Sequence, residues 1–407
     1  MTDQPSTPDG HLDDPTPLPP EVRRGLPSLV LGRLTGNIGM RFTYPFLPAI
    51  ARGLGVSPEA AGAAMSVREL SGLVGPVAGR YVDGGRRRAG LVVGLALGGL
   101  ALALAGTTTG LLAFTVAITA FGLCKVLYDT AMSTWIGHHV PWKRRGAIIG
   151  IGELAWAGAL LLGVPILGLV IDTWGWRWAF VVAGVANAVV ALAVLARIEH
   201  DADRTTGPIA RLRLLPGALG LYATMGLLSF GIQVVIVAHG FWLEDAFGWS
   251  VAAIGAASIV LGVGELAGTV LMIGIADRVG KRRSLLVGAA VLVVPFALLG
   301  TSSSNAVWAL VLLTIAVAVF EFTFVSGLPL VTEIDPDARG TGVGVALALV
   351  TVTRAIGNIV GATIYSEVGM GWTGLVAAAA VGIAAVVTLL AVREPGSPPA
   401  PRVALGP

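Results

Sequence analysis

Charge is what this chain has least of. Only 13% of its 407 residues are Asp, Glu, Lys or Arg, about half of the roughly 25% a soluble domain carries. With 55% hydrophobic residues, it reads as a chain solvated mostly by lipid. It has one cysteine, Cys124, which excludes an intrachain disulfide and a cysteine-built zinc site. Lying within an apolar run, Cys124 reads as a small packing residue. No Walker-type phosphate loop stands in the sequence: Gly340-x-Gly342-x-Gly344 has no strand before it and opens an apolar run, as helix-packing glycines do. No nucleophile–base pair or metal cluster emerges, so catalysis, a resident cofactor and a metal are not expected. His138 and His139 are adjacent and cannot share a helix face, so they read as headgroup contacts beside Pro141-Trp142.

Long apolar runs are what is there. Twelve of them, near 28–50, 59–82, 89–106, 111–137, 146–171, 179–196, 217–242, 251–275, 284–300, 306–331, 342–366 and 375–392, approach the ~20 residues that cross ~30 Å of hydrocarbon. Residues 1–26 hold six prolines among Asp, Ser and Thr and read as a disordered tail without a signal-peptide pattern. Residues 27–196 and 216–392 would then be two six-helix bundles, joined by a polar linker over 197–215 and followed by a disordered tail over 393–407. The pI near 9.3 does not point to nucleic acid, because the basic residues are segregated. Outside the spans, the loops of one side hold every Lys and Arg except Arg52 and Arg177. This positive-inside bias puts both termini in the cytoplasm of a multi-pass plasma-membrane protein. Gly175-Trp-Arg-Trp-Ala-Phe180, Trp242, Trp249, Trp308 and Trp372 fall at the outer span ends and read as an aromatic belt.

One stretch occurs twice. Gly79-Arg-Tyr-Val-Asp83-Gly-Gly-Arg86-Arg87-Arg88 returns as Gly274-Ile-Ala-Asp277-Arg278-Val-Gly280-Lys-Arg-Arg283, its aspartates 194 positions apart. Arg145-Gly146 returns as Arg339-Gly340 at the same offset. A basic loop repeated at half the chain length implies a duplicated membrane protein. With these residues the chain resembles the major facilitator superfamily of secondary transporters, which carries such a loop between spans 2 and 3 and often a weaker copy between spans 8 and 9. The first copy is one residue short between Asp83 and Gly85, and the second has Gly274 three residues before Asp277. The resemblance implies an all-α fold of twelve transmembrane helices, in two pseudo-symmetric bundles around a central cavity. It also implies a conformational latch of Gly79, Asp83, Arg86 and Arg87, with Gly274, Asp277, Arg278 and Gly280 in the second copy. By family analogy Asp83 meets span 11 near Gly340, and Asp277 meets span 5 near Gly146, only when the cytoplasmic side is closed. The GWRWAF string is also frequent between spans 5 and 6 of that family. Gly158, Gly163, Pro165 and Gly168 match its antiporter signature only in part.

Eleven ionisable side chains lie inside spans, where each costs several kcal/mol unless paired or hydrated. They are Arg33, Arg41, Arg68, Glu69, Lys125, Asp129, Glu153, His239, Glu265, Glu321 and Arg354. None falls in spans 3, 6, 9 or 12, the four that the resembled fold turns toward lipid. Counting depth at 1.5 Å per residue brings Glu265, Glu321 and Arg354 to one level, as a two-carboxylate, one-guanidinium set able to hold a proton. Asp129, Glu153 and Arg33 form a second such set. Arg41, Arg68, Glu69, Lys125, His239 and Trp156 are expected at the substrate cavity. Lys125 and Asp129, four apart on one helix, can pair with each other. Arg68 and Glu69 point to different faces, so each needs a partner on another span.

The function expected is secondary active transport of a small solute by alternating access, as a monomer in the lipid bilayer with protons as coupling ion. Proton-coupled export of a drug or metabolite leads. Proton-linked uptake of a sugar or organic anion is the alternative, and a non-transporting receptor or scaffold is a reading from another class. Three cations against one carboxylate at mid-depth in the first half lean toward an anionic or zwitterionic solute.

Overall fold

The computed structural model describes residues 18–199, 217–334 and 339–392. The expected linker and C-terminal tail lie almost wholly outside these residues, as do most of the N-terminal tail and the side chains of Glu153 and Asp277. Every regular element among the described residues is helical. The first half contains α1 (Pro20–Arg41), α2 (Leu47–Leu54), α3 (Pro58–Glu69), α4 (Gly75–Asp83), α5 (Arg87–Thr107), α6 (Leu111–His139), α7 (Trp142–Gly158), α8 (Val164–Trp174) and α9 (Trp176–Arg197). The second contains α10 (Ala218–Phe247), α11 (Val251–Val279), α12 (Lys281–Leu298), α13 (Ala306–Ile334) and α14 (Arg339–Ala391). Among the described residues, nine helices are long and apolar enough to cross a membrane. α14 is two helices joined at Gly369, whose φ of 79° is open to glycine at no steric cost. The first two expected spans are each broken into shorter helices.

The duplication is written into hydrogen bonds as well as sequence. Arg88 Nη2 donates to the Leu195 carbonyl at 2.7 Å, and Arg282 Nη2 donates to that of Leu389 at 2.8 Å. Donors and acceptors are both shifted by the repeat offset. Each arginine satisfies an orphan carbonyl at the end of its half's last helix, where a cation also suits the helix dipole. The glycine contacts repeat too. A Cβ on Gly106 would lie 2.5 Å from the Arg177 carbonyl, and one on Gly300 would lie 2.9 Å from Gly371 Cα.

The halves meet along two seams that are closed at one end only. α3 packs on α14 through Gly62, whose Cβ would lie 2.9 Å from the Asn358 carbonyl, and through Ser66, which donates to the Ala355 carbonyl at 2.7 Å. The contact persists to Gly72 against Thr351 and is gone at Gly75, Gly79 and Gly344, where a Cβ would meet nothing within 4 Å. On the other seam Gly168 of α8 faces Gly255 of α11, whereas Gly150 and Gly274 again face open space. Arg52 pairs with Glu244 across the closed end. The molecule is therefore open on the face of the basic loops and shut on the opposite face.

Three expectations are corrected here. Residues 20–26 are not a disordered tail: Pro20 starts α1, Glu21 suits its first turn, and Val22 is fully buried beside Trp135 and Ile198. Trp176 and Trp242 do not belong to a belt, being buried in the core, where Trp176 stacks edge-on with Phe114 and Phe180. The headgroup reading of His138 and His139 is incomplete, because both also have protein neighbours: exposed His138 has Nε2 3.0 Å from Arg87 Nη2, and His139 stacks on Trp135.

Candidate functional site

Three helices of the first half break where proline removes a backbone donor, and each break borders the same cavity. α1 ends at Arg41, whose carbonyl Pro45 cannot serve, and the chain turns through Phe42–Phe46 before α2. Ahead of Pro76 the backbone tightens into a 3₁₀ turn, Leu70–Val74, directly after Glu69. Ahead of Pro165 it widens into a π turn, Ala159–Gly163, just beyond Trp156. Proline forbids the i→i−4 bond, and such local 3₁₀ and π adjustments re-satisfy the backbone inside a membrane. The breaks aim Arg41, Tyr44, Glu69 and Trp156 inward.

The cavity measures about 90 Å³, room for several waters. Arg41, Tyr44, Arg68, Glu69 and Trp156 line it from the first half, and Gln233, His239, Ser258, Glu265 and Arg354 from the second. Arg41 makes a bidentate pair with Glu265, with Nη1 2.7 Å from Oε2 and Nη2 3.0 Å from Oε1. Its guanidinium lies 4.3 Å from the Trp156 ring centroid and donates to the Trp156 carbonyl at 3.0 Å. Trp156 Nε1 also donates to Glu265 at 3.0 Å. The second cluster centres on Glu69. It accepts from Tyr44 Oη at 2.7 Å and from Arg68 Nη2 at 3.1 Å, and it forms an ion pair with Arg354, whose Nε lies 3.2 Å away. Arg68, fully buried, donates also to Thr43 at 2.6 Å and to the Met40 carbonyl at 3.0 Å. Gln233 donates to Asn358 at 2.7 Å, and Asn358 reaches Tyr44 Oη at 3.4 Å.

Each half therefore gives one carboxylate to a guanidinium of the other. Glu265 of α11 meets Arg41 of α1, and Glu69 of α3 meets Arg354 of α14. Three guanidiniums face two carboxylates, so the site carries an excess of positive charge.

The sequence-based groupings change accordingly. Arg354 pairs with Glu69, and Glu265 with Arg41. Glu321 is not among the residues lining the cavity and has Thr269 Oγ1 3.4 Å from its carboxylate. The expected Glu265–Glu321–Arg354 set is thus split between partners that depth counting cannot distinguish. In the second set Asp129 pairs with Lys125, Arg33 faces α7 near Gly152, and the Glu153 side chain lies outside the described residues. Lys125 is buried but does not line the cavity. Arg68 and Glu69 do bond to each other despite their adjacency, and each also reaches another segment. His239 lines the cavity, with Nδ1 2.6 Å from the Ile236 carbonyl of its own helix. In the loop region Arg86 lies over Tyr81 at 5.1 Å, Arg87 is buried against His138, and Arg278 is exposed, with Gly280 turning the chain into α12 at a φ of 94°.

A family model described as Major Facilitator Superfamily matches residues 29–222 and again 214–406. The chain belongs to that superfamily. The two matches fall on the two halves. Among its relatives, the "Uncharacterized MFS-type transporter YwfA" of Bacillus subtilis is 23% identical over 63% of this chain and 64% of its own length. A "Putative tartrate transporter" of Agrobacterium vitis is 23% identical over 52% of this chain and 57% of its own. The chain thus spans less than two thirds of each of these relatives. Among solved structures, the inward-facing, unoccupied form of a bacterial homolog of the human lysosomal transporter Spinster superposes with a TM-score of 0.75. It does so at 16% identity, over 91% of this chain and 97% of that one, which supports the fold alone. This superfamily member is a multi-pass membrane protein, by its nine long apolar helices among the described residues.

Proposed function

We propose that the chain carries a small organic anion together with a proton across a bacterial plasma membrane, as a monomer with both termini in the cytoplasm and without an enzymatic step. The observation that carries this reading is the bidentate Arg41–Glu265 pair between the halves. A solute carboxylate that takes Glu265's place on Arg41 removes the one ion pair Glu265 makes among the described residues, while Arg68 and Arg354 of the same cavity are held at Glu69. A buried carboxylate stripped of its partner is costly, and a proton taken up together with the anion offsets that cost. Glu69 keeps Arg68 and Tyr44 when Arg354 is drawn away, so Glu265 is the proton carrier and Glu69 the fixed anchor.

Export by proton exchange, which led from the sequence, asks the reverse. A cation would have to compete with the proton for Glu265, against three guanidiniums. The geometry favours co-transport, and the name of the Agrobacterium vitis relative puts tartrate among the first anions to try. The latch residues around Asp83 and Asp277 are read as holding the basic-loop face shut in the opposite state.

Proteoliposomes with an imposed pH gradient test the reading. A panel of mono- and dicarboxylates, a sugar and a cationic dye is offered on the acidic side. Accumulation of a carboxylate in the direction of proton flow is expected. Movement of the dye against proton flow, with no carboxylate flux, would restore the export reading.

A further inference from the structure

α11 and α12 both pack on α13 but touch each other little beyond the loop that joins them. A groove is left between them on the outward face of the second half. Its volume is about 220 Å³, and its lining is wholly apolar: Leu271 and Ile275 on one wall, Val287 and Val291 on the other, Ala318 and Phe322 on the floor. Gly288, also in the lining, lets α12 approach Thr323 of α13 closely. Three residues before Leu271, Gly268 brings α11 onto the Ala318 carbonyl of α13.

Helical spacing links this groove to charge. Arg278 follows Leu271 and Ile275 by seven and three residues on α11, and Arg283 precedes Val287 and Val291 by four and eight on α12. Both arginines therefore lie on the groove's own faces, and both are exposed. They stand at the basic-loop end, roughly 10–12 Å along the helices from the far end of the groove at 1.5 Å per residue. That drop from headgroup level toward mid-membrane fits within one leaflet of a ~30 Å core.

We propose that this groove holds one acyl chain of an anionic phospholipid, with Arg278 and Arg283 gripping the headgroup phosphates. The apolar trough supplies affinity for any acyl chain, and the two guanidiniums supply preference for an anionic headgroup. Zwitterionic phospholipid fits the trough equally but gains less from the arginines.

Native mass spectrometry of the purified, delipidated protein tests the site, titrated with palmitoyl-oleoyl phosphatidylglycerol or with the matching phosphatidylcholine. One phosphatidylglycerol is expected to be retained at least tenfold better than phosphatidylcholine. Arg278→Gln/Arg283→Gln should lower it to the phosphatidylcholine level. Val287→Trp, at a residue 55% exposed, should fill the trough and remove retention of both lipids. Equal retention of the two lipids, or undiminished phosphatidylglycerol on either variant, overturns the proposal. If Val287→Trp does not fold, phosphatidylglycerol with a diazirine-bearing acyl chain is photolysed on the wild-type protein. Labelling within 271–291 and 318–322 supports the site, and labelling spread evenly over the outward faces of α5 and α9 refutes it.

Discussion

The two halves share a skeleton and differ at the cavity. Arg88 and Arg282 close the ends of the same two helices in the same way. Yet the first half bends its cavity helices at Pro45, Pro76 and Pro165, while α10 and α11 run unbroken through the same depth. Among the described residues, the prolines of the second half, Pro295 and Pro329, lie in α12 and α13 and do not line the cavity. Breaks inside a membrane are tolerated where they line a cavity and expose backbone there. The first half uses them, as the Arg41–Trp156 carbonyl bond shows. The difference teaches that scaffold contacts survived duplication while the cavity chemistry was rebuilt. The first half became a shaped, arginine-rich wall, and the second a straighter wall with one reaching carboxylate.

Breaking the two inter-half ion pairs separates their roles most sharply. Arg41→Gln strands the buried Glu265 and is expected to cost about 3–5 kcal/mol. Arg354→Gln leaves Glu69 with Arg68 and Tyr44 and should cost about 1–2 kcal/mol. Thermal unfolding in detergent measures both, and equal losses would remove the asymmetry.

The two ends of one helical segment give the next contrast. Gly62→Val presses on the Asn358 carbonyl and Ala362, an overpacking of about 1–3 kcal/mol that should open the opposite face. Gly79→Val meets nothing in the present state and should instead hinder closure of the basic-loop face. Labelling of single cysteines at either face, in a Cys124→Ala background, should shift in opposite directions for the two variants.

The helix-end arginines come third. Arg282 bonds the carbonyls of Val392 and Leu389, and Arg88 bonds that of Leu195. Arg282→Ala and Arg88→Ala should each cost about 1–2 kcal/mol, read from unfolding midpoints. The smallest effect is expected at the latch. Asp83→Asn removes an anion meant for a helix N-terminus, a term of about 0.3–1 kcal/mol. Accessibility of a cysteine at position 344 should rise a few-fold at most; a fall would contradict the latch reading.

Much of this architecture was legible in the residues. The absence of charge from four spans marked the outward-facing helices, and in the structure α5, α9 and α12 do present Leu100, Val189 and Val294 outward. The repeat offset anticipated paired loops, and the positions of Arg41, Arg68, Glu69 and Glu265 anticipated the cavity. Pairing was not legible, because depth along a span fixes height and leaves azimuth open. Glu265 and Glu321 share a height on different helices, yet only Glu265 lines the cavity. The neutral partners Tyr44, Gln233 and Asn358 carry no charge that would mark them in the sequence. The cost of burying any polar group in hydrocarbon would have singled out Gln233 and Asn358. Helix breaks could have been placed from Pro45, Pro76 and Pro165 by the missing donor alone.

The central claim is that the solute anion and the proton bind together, with Glu265 as the proton's seat. The most direct test is the proton balance on adding a transported carboxylate to the purified protein in weakly buffered detergent near neutral pH. Uptake of about one proton per bound anion is expected for the wild type, and none for Glu265→Gln. Proton release on binding, or uptake that persists in Glu265→Gln, would contradict the account.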